Sequence, residues 1–94
     1  MQAEDFEWDE IKASENYAKH GVSFETARAV FKDVFAVEEL DDREDYDEER
    51  FTIVGMSGGT LLLVAYTLRE TRIRLISARR ATRHEQDDYY QQNG

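Results

Sequence analysis

The chain has no cysteine and no proline. The first absence excludes disulfide scaffolds, thiolate zinc sites and cysteine nucleophiles, and it fits a reducing compartment. The second leaves every helical or extended stretch uninterrupted. Long hydrophobic runs are missing too, since none approaches the ~18 to 20 residues needed to cross a bilayer. Residues 1–8 are acidic rather than basic and then apolar, unlike an export leader. The expectation is a soluble, unprocessed cytoplasmic protein with no membrane partner. Glycine numbers only 5, and no Gly-rich loop precedes a helix, so nucleotide binding has no support. With 94 residues, there is room for one domain spanning residues 1–94 and a single modest core. A cofactor-binding fold of two halves does not fit, and no cofactor is expected.

What the chain has in excess is negative charge, 21 Asp+Glu against 12 Lys+Arg for a net charge of -9. As a total, that argues against nucleic acid as a partner. The distribution says something different. Residues 1–49 hold 5 basic and 17 acidic side chains, whereas residues 50–94 hold 7 basic and 4 acidic. Nine carboxylates crowd residues 38–49 around the single Arg43, while Arg72, Arg74, Arg79, Arg80 and Arg83 occur with no acidic residue between them. Arginine's planar fork suits phosphate or carboxylate. The acidic run invites a test for a metal site, but Arg50 stands where an EF-hand needs its turn glycine, and no metal site is expected.

Hydrophobic spacing gives the element order. Asp9 can cap a first helix, with Ile11, Glu15 and Ala18 on one side and Ala13, Tyr17 and His20 on another. Gly21 is a plausible stop. Ser23 restarts a helix, with Phe24, Ala27 and Phe31 at helical spacing. Residues 34–40 then read as a strand, followed by an acidic loop over residues 41–49. Residues 50–56 alternate as a second strand, Ser57-Gly58-Gly59 signals a hairpin, and residues 60–68, apolar on both faces, read as a central strand. After a turn at Arg69-Glu70, residues 71–79 form the last strand, with Ile73 and Leu75 on one face and Arg72, Arg74 and Ile76 on the other. If that strand continues regularly, Arg80 joins Arg72 and Arg74, and Arg79 joins Ile73, Leu75 and Ser77. Thr82 with Glu85 forms a capping box that opens a final helix carrying Tyr89 and Tyr90, a core-plus-surface pair. The fold class is α+β: two N-terminal helices, an antiparallel meander of three to four strands and a C-terminal helix.

Four segments carry a more specific signal. They are FEWD at residues 6–9, KHGVSF at residues 19–24, DDREDYDEERF at residues 41–51 and ISARRATRHE at residues 76–85. Together, and in this order, they resemble the BrnT family, the toxin component of bacterial type II toxin-antitoxin pairs. One position departs from the family pattern: Asp47 follows Tyr46 where glycine is usual, which makes the loop more acidic and its turn less permissive. The resemblance implies a RelE-like ribonuclease fold, an endoribonuclease that degrades messages without metal and so inhibits translation and growth, and a BrnA-like antitoxin as partner. It further implies a ribbon-helix-helix antitoxin that contacts DNA on behalf of a 2:2 heterotetramer.

RNA cleavage without metal needs a base for the ribose 2′-hydroxyl, cations around the phosphate and an acid for the leaving oxygen. RelE-like toxins use clustered basic side chains on an open sheet face, and the residues matching that description are readable here. His20, Glu49, Arg79 and Arg80 are the catalytic candidates. His20 sits beside Lys19 at the helix joint, and an imidazole titrates near ~6.5, suited to proton transfer. Glu49 is either a base or a partner that holds an arginine. Arg79 and Arg80 end the last strand, where one of them can clamp a phosphate. Lys19, Arg50, Arg72, Arg74 and Arg83 are the candidates for holding RNA. His84, in the first turn of a helix, reads as a surface residue. Two other functions fit the same residues: a catalytically silent module that retains antitoxin binding, and an acidic protein-interaction domain whose residues 38–49 imitate nucleic acid.

Overall fold

The computed structural model describes residues 6–42 and 48–93. Most of the expected acidic loop, including Asp47, and the acidic first five residues therefore lie outside the described residues. The order is β1 (Phe6–Glu7), α1 (Glu10–His20), α2 (Phe24–Ala27), a 3-10 turn (Arg28–Lys32), β2 (Val37–Asp41), β3 (Arg50–Ser57), β4 (Thr60–Arg69), β5 (Arg72–Arg80) and α3 (Arg83–Asn93). The strands form one sheet in the order β1-β5-β4-β3-β2. The class is α+β, but the antiparallel meander of three to four strands needs correction. The sheet has five strands and is mixed, because β1 lies parallel to β5 with Phe6 opposite Ile73 and Glu7 opposite Arg74. A two-residue strand shows no periodicity of its own, so only its tertiary partner reveals it.

The local signals at the helix ends are realised closely. Asp9 accepts hydrogen bonds from the Ile11 and Lys12 amides, and Gly21 ends α1 in the left-handed region at φ 71. The Ser23 side chain accepts from the Thr26 amide. At the other end of the chain the Glu85 amide donates to Thr82 Oγ1 and the Thr82 amide to Glu85 Oε1, closing the capping box. The β3–β4 hairpin turns through Gly58 and Gly59 with φ 57 and 84. Both angles belong to the mirror-image turn that suits the twist of antiparallel strands.

The helix following Ser23 is shorter than its apolar spacing suggests, giving way after Ala27 to the 3-10 turn. The first long strand starts at Val37 rather than Val34, because Asp33 redirects the chain: its Oδ1 accepts from the Phe35 amide and its carbonyl from the Ala36 amide. The turn expected at Arg69-Glu70 falls one residue later, with Glu70 at φ 56.

One face of the sheet is covered by the N-terminal helical layer. Phe24, Ala27 and Val30 pack there on Ile53, Leu62, Val64, Tyr66, Ile73, Leu75 and Ala78. Phe6 and Trp8 extend this core edge-on against Phe31 and Phe24. Gly55 lets β3 approach the 3-10 turn, since a Cβ there would lie 2.7 Å from Val30 Cγ1. Of the two expected sides of α1, neither Ile11 nor Tyr17 is buried; the inward side carries Ala13, Asn16 and His20. The opposite face is covered only in part. There Val54, Leu61, Ala81 and Tyr89 form a second small core beneath α3.

Candidate functional site

The half-open face is built in rows, because directly paired residues on adjacent strands point to the same side. One row reads Asp41, Arg50, Thr67, Arg74 and Glu7 across the strands from β2 to β1. The next holds Glu39, Thr52, Ala65 and Ser77, and the one after holds Val37, Val54, Leu63 and Arg79. Successive rows lie ~7 Å apart, twice the rise per residue. The third row runs toward α3, which covers it only in part. The middle row, with its short side chains, becomes the floor of a trough between the charged row and that helix. A cleft of about 360 Å³ opens over Thr52, Val54 and Leu63, bordered by Glu39 and Asp41 on one side and by Arg79, His84 and Asp88 on the other.

A bulge in β5 decides which arginines share this face. Tyr66 pairs with Leu75 and Ala65 with Ser77, so Ile76 is an extra residue without a partner opposite. The extra residue reverses the alternation beyond it. Arg79 therefore joins Arg72, Arg74 and Ser77, whereas Arg80 pairs with Leu62 on the helix-covered side. The regular-strand expectation, which placed Arg80 with Arg72 and Arg74, is corrected on this point.

Arg72, Arg74 and Arg79 on the open face are each held by a carboxylate. Arg74 donates to Glu7 at 3.0 Å and Arg72 to the other oxygen of Glu7 at 3.5 Å. The hydrogen bond from Arg74 holds the Glu7 carboxyl below its ordinary range. Arg79 makes a two-pronged contact with Glu85, Nη1 to Oε1 and Nη2 to Oε2, both at 2.9 Å, and Nη1 also donates to the Arg80 carbonyl at 3.1 Å. Burial pushes the Glu85 carboxyl up, but the bonds from Arg79 and from the Thr82 amide outweigh it and leave the group below its ordinary value. Such bidentate, charge-assisted pairs fix a guanidinium in orientation as well as in place. Arg50 faces the same side opposite Thr67, and the Thr67 hydroxyl donates to the Glu49 carbonyl at 2.6 Å. The Glu49 side chain itself is exposed.

The remaining candidates fall elsewhere. Lys19 and His20 end α1, which Asn16 ties to the Ala78 backbone along the outer edge of β5. Neither borders the cleft that Arg79 lines. Arg83 projects from α3 and reaches Asp87 at 3.4 Å, remaining 88% exposed. His84 is a surface residue as expected, and at that surface it borders the cleft with Arg79 and lies 3.5 Å from Asp88. Helical position alone did not show which face of α3 overlooks the trough. Glu7 and Glu85 were also missed as site residues, although both stand inside the segments FEWD and RATRHE.

The geometry defines an α+β protein whose half-open sheet face carries Arg72, Arg74 and Arg79, the last of them at a cleft also bordered by Glu39, Asp41 and Asp88. The chain belongs to the family described as "Ribonuclease toxin, BrnT, of type II toxin-antitoxin system", whose model matches residues 8–85. No curated protein sequence matches it significantly. Members of this family are ribonuclease toxins, and a type II system supplies an antitoxin as partner. No helix among the described residues is long and apolar enough to cross a membrane.

Proposed function

We propose that this protein is an endoribonuclease toxin of the RelE-like kind that cleaves RNA without metal, and so inhibits translation and growth, until a BrnA-like antitoxin covers it. The observation that carries the reading is the β5 bulge, which brings Arg79 onto the open face with Arg72 and Arg74 beside a trough floored by small side chains. RNA brings its own nucleophile, the 2′-hydroxyl, so the protein's task is to align the phosphodiester and stabilise the charge that develops on it. Arg79 is the residue for the reacting phosphate. Arg50 and Arg74, two rows from Arg79, and Arg72, three rows away, serve the flanking backbone, about 14 and about 21 Å along the strands at ~7 Å per row. His84, exposed at the border of the same cleft, supplies the imidazole for proton transfer in this reading. Lys19 and His20, at the end of α1, and Arg80, which pairs with Leu62, take no part in cleavage in this reading.

The antitoxin is a ribbon-helix-helix protein, and two toxins bind one antitoxin dimer in the cytoplasm. DNA is reached only through the antitoxin, because a chain at net -9 repels the duplex. The test is cleavage of end-labelled single-stranded RNA, and of messages in a cell-free translation extract, by the purified toxin. Arg79→Ala is expected to lower the rate ~100-fold, the usual cost of one donor to a developing charge. Folded, antitoxin-free wild-type protein that leaves both substrates intact sinks the proposal.

A further inference from the structure

The Arg79–Glu85 pair leaves one edge of the guanidinium unused, and that edge has the geometry of a phosphate clamp. An arginine side chain has five N–H donors. Glu85 takes one from each terminal nitrogen at 2.9 Å, end-on, and the Arg80 carbonyl takes the second hydrogen of Nη1 at 3.1 Å. Among the described residues nothing accepts from Nε–H or from the second hydrogen of Nη2. These two N–H groups are parallel and share the side edge of the plane, so they form a second fork. Arg79 keeps 36% of its side-chain surface exposed and Glu85 only 21%, which leaves the guanidinium accessible and its partner screened.

Glu85 is itself fixed from behind. Its Oε1 accepts from the Thr82 amide at 2.8 Å as well as from Arg79, and its own amide donates to Thr82 Oγ1. The start of α3 therefore anchors the carboxylate, and the carboxylate anchors the arginine. Arg79, Thr82 and Glu85 stand three positions apart in turn, so all of these contacts close within residues 79–85.

We infer that Glu85 is a positioning residue for the reaction: it holds Arg79 by its end so that the free Nε–H and Nη2–H fork faces the trough and clamps the reacting phosphate. This deepens the proposed function and rests on it. The opposite role, a carboxylate that competes with RNA for Arg79, predicts the opposite sign, so the two are separable. Glu85→Gln keeps an acceptor for the Thr82 amide but loses the ionic grip on both arginine nitrogens. Its expected effect is a ~10- to 100-fold fall in kcat for single-stranded RNA, the scale of a catalytic group displaced by about 1 Å, with KM changed much less. In an Arg79→Ala background the same substitution is expected to cost less than about twofold, because interacting residues are not additive. Ser23→Ala, which removes a helix cap outside the Arg79–Glu85 segment, serves as the stability control, and thermal melting verifies that each variant is folded. Glu85→Gln that cleaves at or above the wild-type rate overturns the inference. So does an equal loss with and without Arg79. If Arg79→Ala alone cleaves like wild type, the role of Arg79 in the proposed function falls first, and the inference with it.

Discussion

Asn16 does with one side chain what a neighbouring strand would do with its backbone. Among the described residues no strand lies beside the outer edge of β5 beyond the two-residue β1, and Asn16 closes the gap: Nδ2 donates to the Ala78 carbonyl at 2.9 Å and Oδ1 accepts from the Ala78 amide at 3.1 Å. Nδ2 also reaches the Val22 carbonyl at 2.9 Å, so one buried amide ties α1, the joint after it and β5 together. Asn16→Ala is expected to destabilise the fold by about 3 kcal/mol, since several buried backbone groups lose partners at once. Urea denaturation measures this through the shift in midpoint, and a loss under about 1 kcal/mol would show that water replaces the amide. Periodicity could not mark this residue, because a polar side chain facing inward looks like an error in an apolar stripe. The capping residues Asp9, Ser23 and Thr82 were legible for the converse reason: their chemistry is completed within three positions of sequence.

At the scale of the element, α3 depends on a few polar ties. It is highly polar in sequence, and its buried side chain is Tyr89, whose hydroxyl donates to Asp33 Oδ2 at 2.6 Å. Asp33 Oδ2 also accepts from the Met56 amide at 2.8 Å, so the helix, the turn before β2 and β3 meet at one carboxylate. Burial raises the Asp33 carboxyl, but bonds from Tyr89 and from the Phe35 and Met56 amides leave it below its ordinary value of 3.8. Burial, with the Asp33 carboxylate, pushes the Tyr89 phenol up to about 12. A carboxyl lowered on folding contributes stability above its unfolded pKa and loses it as the pH falls through the lowered folded value. The wild type is therefore expected to lose stability as the pH falls below about 3.8, and Asp33→Asn to show a shallower dependence over that window. Tyr89→Phe should cost about 1 kcal/mol at neutral pH. Near-ultraviolet circular dichroism during acid titration follows both, and identical profiles for wild type and Asp33→Asn would refute the tie. The strand patterns themselves were largely readable, with β3 and β4 within a residue of expectation. What alternation could not show was the bulge at Ile76, because an inserted residue looks like ordinary sequence until the partner strand fixes the register.

For the whole molecule, the uneven charge becomes a spatial arrangement. Glu39, Asp41 and Asp42 border the same cleft as Arg79, so the negative edge of β2 overlooks the trough. RNA approaching that cleft meets repulsion that salt screens, with a Debye length of ~10 Å at 0.1 M and ~3 Å at 1 M. Glu39→Gln combined with Asp42→Asn is expected to raise kcat/KM for single-stranded RNA severalfold at low salt, with the gain vanishing near 1 M. Cleavage kinetics across a salt series measure it, and an unchanged or lower kcat/KM at low salt would place the acidic edge outside the path of approach. The total of -9 pointed away from nucleic acid, yet the arginines that matter stand together on one face.

By itself the sequence determined the α+β class, the helix ends, the Gly58-Gly59 hairpin and the family, because each rests on residues close together in the chain or on a matching order of short segments. Only the tertiary structure decided that β1 joins the sheet, that Arg79 rather than Arg80 shares the open face, that α1 lies along the edge of β5, and that Glu7 and Glu85 hold the open face's arginines. Those outcomes depend on strand register and on contacts as distant as Glu7 with Arg74. Register is set by the packing of both faces at once, and a single unpaired residue such as Ile76 is enough to exchange them.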